Sequence, residues 1–393
     1  MTYVVDEPTV GLHPTDVESV IQLLKRLRDS GNNVLVVEHD PAVMAEADQV
    51  IEIGPGAGAA GGRLVFQGRF AELRDADTPT GRGLTDRRPL KAAARVGSGG
   101  LTVVGSRNNL RDVTARFPTG VMTVLTGVAG SGKSSLAFEL VEQHGATVID
   151  QKPVSTNRRS TPVTYTGIAP AIRKLFARHN GVSASLFSAN SDGACPDCKG
   201  LGVIYTDLAF MDGQEVSCET CHGRRFTPEV LAHTVNGLSI ADVDDLTIDQ
   251  AIAQLPDQGI SRALQQLSAV GLGYLRLGQS LSTLSGGECQ RVKIAKELRQ
   301  ADQPTTYVLD EPTTGLHLND IDTLLHVLDT LVDQGHTVIV IEHNLDVIRR
   351  ADWLIDLGPG PGRHGGTILY TGHPTTYLDA DSPTSHALRS AGQ

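Results

Sequence analysis

An α/β fold built on a largely parallel sheet is predicted by three features of the sequence. Apolar β-branched runs alternate with helical patterns, a glycine-rich loop joins one such run to a helix, and a strand–helix–strand segment occurs twice. Tyr3–Gly68 aligns with Tyr307–Gly372 without a gap at a constant offset of 304, with 29 identities in 66 positions. VVDEPTVGLH matches VLDEPTTGLH, VVEHD matches VIEHN, and IGPGAGAAGG matches LGPGPGRHGG. The echo continues as DADTPT (75–80) against DADSPT (379–384). That spacing is too long for a solenoid and means two copies of one large module.

Within each copy the elements follow in order. Thr2–Val5 and Thr306–Leu309 read as short buried strands. Asp16–Asp29 and Asp320–Asp333 have helical apolar spacing and end near Gly31 and Gly335. Val34–Val37 and Val338–Ile341 carry the β-branched bias of buried parallel strands. Residues 82–100, with Pro89, an alanine run and GSGG, read as a linker. The expected domains are residues 1–85, a linker 86–100, and residues 101–393. The last holds a cysteine module at 190–226 and a helical region at about 227–300.

Composition bounds the function. The 393 residues carry 34 Lys+Arg against 45 Asp+Glu, a net charge of −11, and no apolar run long enough for a spanning helix. MTYVVDEPTVGLH, with two acids in its first seven residues, does not read as a signal peptide. Five cysteines are too few for a disulfide scaffold, so a cytoplasmic setting is expected. The acidic balance argues against general nucleic-acid affinity.

Gly127-Val-Ala-Gly130-Ser131-Gly132-Lys133-Ser134 fits G-x-x-x-x-G-K-[ST], after the strand Met122–Thr126 and before a helix starting near Ser134. Its backbone N–H groups, with Ser135 beyond, suit a polyphosphate. Lys133 supplies charge, and the Ser134 hydroxyl suits Mg²⁺. Asp310 ends an apolar strand where a metal-holding acid is expected, and Glu311 beside it suits a base that activates water. Leu284-Ser285-Gly286-Gly287-Glu288 opens a helix. It reads both as an anion-facing turn and as a capping box, with Ser285 as N-cap and Glu288 three residues on.

Cys195-x2-Cys198 and Cys218-x2-Cys221 lie 19 residues apart, each pair followed by a glycine-containing knuckle. This spacing suits a closed tetrahedral Zn²⁺ site of structural type. A redox or disulfide pair is the alternative. Cys289 reads as a small packed residue. Residues 151–190 hold Lys152, Arg158, Arg159, Arg173, Lys174 and Arg178 and no acid. That stretch reads either as a phosphate-binding surface for DNA or as a solvated face.

LSGGE, then an apolar strand ending in Asp-Glu, then His343 after a strand, resembles an ATP-binding cassette ATPase. The DEPTTGLH wording, the IEHN context and the zinc insertion resemble the UvrA family, the damage-sensing A subunit of the bacterial excinuclease. The resemblance covers nearly the whole chain: the tail of a first cassette and the whole of a second. It implies ATP and Mg²⁺ as ligands, with Gln151 and His343 sensing the γ-phosphate and Ser285–Gly287 forming the signature. It also implies a partial first site at Asp6, Glu7 and His39. Residues 190–226 carry three Lys/Arg and six Asp/Glu, a departure from the basic module expected of repair UvrA. It leans toward shorter UvrA-like variants linked to antibiotic self-resistance, so two roles stay open: DNA repair and drug resistance. A third reading is a fragment that binds ATP and Zn²⁺ without turnover.

The first cassette's phosphate loop, its signature and the region of the UvrB-binding insertion are not in this sequence, so a UvrB-type partner is not supported by it. Completing a composite site then needs a homodimer, a partner chain or an N-terminal cassette upstream of Met1. An internal Met taken as the start is the reading favoured here. An open apolar edge is expected in residues 2–80, leaving residues 1–85 less protected than 101–393.

Overall fold

The computed structural model describes residues 1–56, 61–85, 89–154, 157, 159–208, 211–300 and 303–391. The chain forms two compact units, one of Met1–Gln151 with Ala301–Gln393 and one of Lys152–Gln300.

In the first unit, β1 (Thr2–Asp6) and β2 (Asn33–Val37) flank the helix Pro14–Asp29 and pair in parallel, Val4 opposite Leu35. β3 (Val50–Gly54) and β4 (Arg63–Gly68) form a hairpin. The helix Pro79–Thr85 runs into the stretch expected as linker from residue 82, and the strand β5 (Gly99–Gly105) begins before its end at residue 100. β5 pairs antiparallel with β6 (Val113–Thr119). β7 (Met122–Gly127) leads into the helix Lys133–His144 and then β8 (Thr147–Ile149).

The second unit contains the helix Ala169–Asn180, the hairpin β9 (Val203–Leu208) and β10 (Met211–Ser217), and the short pair β11 (Thr234–Val235) and β12 (Leu238–Ser239). Its last helices are Gln258–Leu267 and Gly286–Gln300. The chain then returns to the first unit with β13 (Thr306–Asp310), the helix Leu318–Asp333, β14 (Thr337–Ile341), β15 (Trp353–Gly358) and β16 (Thr367–Gly372).

Six strands make one sheet in the order β16-β15-β7-β14-β13-β8. All neighbours are parallel except β15–β16. β7 and β14 are buried at every residue, which explains their continuous apolar sequence. Their core joins Leu125, Ile339, Ile341, Ile355 and Leu357 to Leu136 and Leu140 of the helix after β7 and to Val103, Val113 and Phe117 of the β5–β6 hairpin. The two copies share one register, since Thr2↔Asn33 recurs as Thr306↔Thr337. Their burial differs. Val4, Leu35, Val37, Ile51 and Ile53 are exposed, against the buried strands expected at Thr2–Val5 and Val34–Val37, whereas Val308, Ile339, Ile341, Ile355 and Leu357 at the equivalent positions are buried. Among the described residues, no helix is long and apolar enough to cross a membrane.

Candidate active site and metal centre

β7 delivers the glycine-rich loop, expected to hold phosphates, to the carboxyl end of the parallel sheet. Gly127, Gly130 and Gly132 take φ of 131°, 70° and 109°, the left-handed side that glycine tolerates. A Cβ on Gly127 would collide with the Leu357 carbonyl oxygen, so no other residue fits there. Lys133 is buried, and its Nζ donates to the carbonyls of Gly127 at 2.9 Å and Val128 at 3.0 Å. Burial pulls its pKa down to about 8, against the pull of Glu311, Asp356 and Asp310. Ser131 is fully buried, and its Oγ has no hydrogen-bond partner among the described residues. A buried hydroxyl inside a ring of positive-φ glycines fits an anion with several oxygens. Ser134 lies exposed on the first turn of the helix, and Ser135 Oγ accepts from Asn108 Nδ2 at 2.9 Å.

The acids stand where β13 ends. Burial, reinforced by the neighbouring charges of Glu311 and Asp150, raises the Asp310 carboxyl above its usual range. Glu311 moves the other way, lowered first by its hydrogen bond to His343 and then by the charges of His343 and Lys133. His343 Nε2 lies 3.5 Å from Glu311 Oε1. Gln151 Nε2 donates to the Glu311 carbonyl at 3.0 Å. The structure therefore brings Lys133, Asp310, Glu311, Gln151 and His343 into one site.

A residue that spacing did not single out holds this arrangement. Glu342 is buried. Its Oε1 accepts from Thr313 N at 3.1 Å and from the Thr313 hydroxyl, and its Oε2 accepts from His343 N at 2.7 Å and Asn344 N at 2.9 Å. It staples the loop after β13 to the loop after β14, so Glu311 and His343 face each other. Glu38 repeats the pattern with Thr9, His39 and Asp40. His39 Nε2 likewise lies 3.5 Å from Glu7 Oε1. The available signal was an acid closing an apolar strand in both copies, in VVEHD and VIEHN. The loops also cross between copies: a Cβ on Gly11 would sit 3.0 Å from Glu311 Oε2, and one on Gly315 would sit 3.9 Å from Glu7 Oε2. A cleft of about 1080 Å³ opens beside them, lined by Glu7, His39, Glu311 and His343 among others.

In the second unit, the four sulfurs of Cys195, Cys198, Cys218 and Cys221 are buried and lie within 4.8 Å of one another. Cys195–Cys218 is 4.0 Å and Cys198–Cys221 is 3.7 Å. A tetrahedron of thiolates with Zn–S near 2.3 Å has edges of about 3.8 Å, so the donor set fits zinc. Lys199–Gly200 and His222–Gly223 take positive φ in the two knuckles. The Gly202 N–H points to Cys198 Sγ at 3.2 Å. A bridge between Ala194 and Phe226 closes the module.

Ser285 caps its helix reciprocally. Glu288 N donates to Ser285 Oγ at 3.2 Å and Ser285 N donates to Glu288 Oε2 at 2.7 Å, the expected capping box. Ser285 itself is exposed, Gly286 is half-buried and Gly287 is buried. This turn belongs to the second unit and the phosphate loop to the first.

Residues 110–314 match the family model described as "ABC transporter". The chain belongs to that family. Within it, the chain is 44% identical to UvrABC system protein A of Streptomyces avermitilis over 98% of this chain and 42% of that protein. It is 45% identical to the corresponding protein of Streptomyces coelicolor over the same shares. The solved structure of UvrA2 from Deinococcus radiodurans matches with a TM-score of 0.92 and 41% identity, over 100% of this chain and 52% of that one. The chain thus spans less than half the length of the curated UvrA relatives it matches. The recognition of a UvrA-type ABC fold from LSGGE, the Asp-Glu strand and the cysteine insertion is borne out.

The cationic candidates divide. Arg159 donates to Asn190 Oδ1 at 3.3 Å and to the Lys199 carbonyl at 3.0 Å, tying it to the first cysteine knuckle. Arg178 pairs with Asp257 at 3.2 Å. Arg173 is half-buried and Lys174 exposed on the helix Ala169–Asn180. Arg158 lies outside the described residues. Cys289 is buried, as its reading as a packed residue expects.

Proposed function

We propose that this chain binds ATP with Mg²⁺ and hydrolyses it as part of a UvrA-like ATPase acting on DNA in excision repair in the cytoplasm. The observation that carries this is the meeting of Lys133, Asp310, Glu311, Gln151 and His343 at the end of one parallel sheet. Gly127, Gly130, Ser131, Gly132, Lys133, Ser134 and Ser135 hold the phosphates. Ser134 and Asp310 hold Mg²⁺, which supplies charge neutralisation at the phosphates. Glu311, kept ionised beside His343, orients a water and accepts its proton. Gln151 and His343 report on the γ-phosphate, and Glu342 keeps His343 in place.

Ser285–Gly287 serve a phosphate loop as the signature, and Asp6, Glu7 and His39 form part of a second site. Residues 1–85 are the end of one cassette, 86–100 a linker and 101–393 a second cassette carrying insertions at 190–226 and 227–300. The four cysteines bind structural Zn²⁺, and Arg158, Arg159, Arg173, Lys174 and Arg178 are the DNA-facing candidates. A homodimer or a further cassette completes the composite sites.

Fluorescent-ATP titration and MgATP turnover test this on the full chain. Lys133→Ala is expected to abolish binding, and Glu311→Gln to keep binding while losing turnover. DNA should accelerate wild-type turnover. Unchanged binding in a folded Lys133→Ala variant would overturn the site.

A further inference from the structure

One repeated motif lies outside the proposed nucleotide site. His13 and His317 hold the same place in the two DEPTxGLH segments, and Thr80 and Thr384 the same place in the DADTPT and DADSPT echoes. His13 Nε2 lies 2.9 Å from Thr384 Oγ1, and His317 Nε2 lies 3.0 Å from Thr80 Oγ1. Each histidine therefore reaches a threonine of the opposite copy. Each ring also meets the opposite copy's strand-end histidine edge-on. His13 and His343 are 5.7 Å apart at 82°, and His317 and His39 are 6.2 Å apart at 83°. The exchange is reciprocal and keeps the 304-residue offset throughout.

The anchors are themselves fixed. Thr80 donates through N and Oγ1 to Glu52 Oε1 at 2.9 and 2.7 Å, and Thr384 is fully buried. His13 is also fully buried. Its Nδ1 accepts from the Thr15 N–H at 3.2 Å, so the neutral ring carries its proton on Nε2 and donates to Thr384. Burial, with the charges of His343 and Lys133, holds His13 near pKa 3, in keeping with a neutral ring. His343 has a buried Nδ1 without a hydrogen-bond partner among the described residues. Its ring orientation rests on Glu311 at Nε2 and on the His13 edge.

We infer that His13 is a positioning residue for the Lys133 site: anchored by Thr384, it sets the ring of His343, so the first copy controls turnover in the second. His317, anchored by Thr80, does the same for His39. This rests on the proposed ATPase reading only for its kinetic consequence; the ring contact stands apart from it.

The test uses the full chain with MgATP, a fluorescent ATP analogue and ¹⁵N-histidine NMR. His13→Ala and Thr384→Val should lower kcat about tenfold or more while KM and analogue affinity move less than about threefold. Thr384→Ser, which keeps the hydroxyl, should regain wild-type kcat. His13→Ala should shift the His343 imidazole signals and leave those of His39, and His317→Ala should do the reverse. Wild-type kcat in Thr384→Val, a change confined to KM, or unmoved His343 signals in His13→Ala would overturn the inference. If the wild-type chain binds no MgATP, the ATPase reading fails; with or without turnover, the imidazole shifts decide the ring contact.

Discussion

Lys133 is the place where the site costs the fold stability, and the cost can be read as a pH dependence. Its ammonium is buried, and its pKa falls from the ordinary 10.5 to about 8. At about 1.4 kcal/mol per unit, that shift corresponds to roughly 3 kcal/mol of penalty while both folded and unfolded states are protonated, below pH 8. Between pH 8 and 10.5 the unfolded chain binds the extra proton, so stability contributed at Lys133 rises with pH. Lys133→Met removes the titration. It also leaves the Gly127 and Val128 carbonyls without their donor, but that loss is independent of pH and cancels on comparing two pH values. Urea unfolding of wild type and variant at pH 7 and pH 9 measures the difference. Wild type should gain about 1 kcal/mol on the variant over that interval. Saturating MgATP should reduce the gain, because phosphate charge keeps the ammonium protonated. A difference independent of pH, or one that runs in favour of the variant as pH rises, would refute burial as the dominant influence on Lys133.

Other consequences are equally direct. Glu342→Gln keeps the size of a buried carboxylate but gives its donors an amide to face, and should destabilise by about 2–4 kcal/mol in urea unfolding, with turnover lost. Zinc release measured with a chromogenic chelator should fall to background in Cys218→Ser, and chelation should lower the thermal stability of the unit holding the four sulfurs. Hydrogen exchange should be faster in β1 and β2, a two-stranded sheet, than in β7 and β14 at the centre of six strands. Equal protection would contradict that. Leu35→Ala, at a position 53% exposed, should cost under about 1 kcal/mol, whereas Ile339→Ala, at the equivalent position with 0% exposure, should cost about 2–5 kcal/mol.

The local signals in the sequence were strong where chemistry and backbone agree. Gly127, Gly130 and Gly132 are glycines because the loop needs positive φ, and the strand before them is apolar because both its faces are covered. The strands Thr306–Asp310 and Thr337–Ile341 start and end within a residue of where their apolar runs do. The cysteine spacing likewise prefigured a cluster of four sulfurs. The helix Pro79–Thr85 was not legible, since PTGRGLT contains two glycines and no apolar period. Thr80 and Gly81 are buried there, so tertiary contacts outweigh propensity. The roles of Glu342 and His13 were not legible for a related reason. Their partners, Thr313 and Thr384, lie 29 and 371 residues away, and neither separation follows a local period.

The paired copies also separate what a motif is from what it does. Glu7–His39 and Glu311–His343 have the same 3.5 Å spacing, and Glu38 and Glu342 make the same four contacts. Nothing in the acid–histidine geometry distinguishes them. The environment does: Lys133 acts on Glu311 and on His13, and His343 is far less exposed than His39. The same covering explains the contrast between Leu35 and Ile339, because the core that encloses Ile339 includes the helix carried by the phosphate loop. A strand-end acid and histidine are therefore a preassembled half of a site. The strand Met122–Gly127 and the helix Lys133–His144 supply both the cation beside Glu311 and part of the apolar layer over Ile339, so one segment provides the charge and the cover of the second copy.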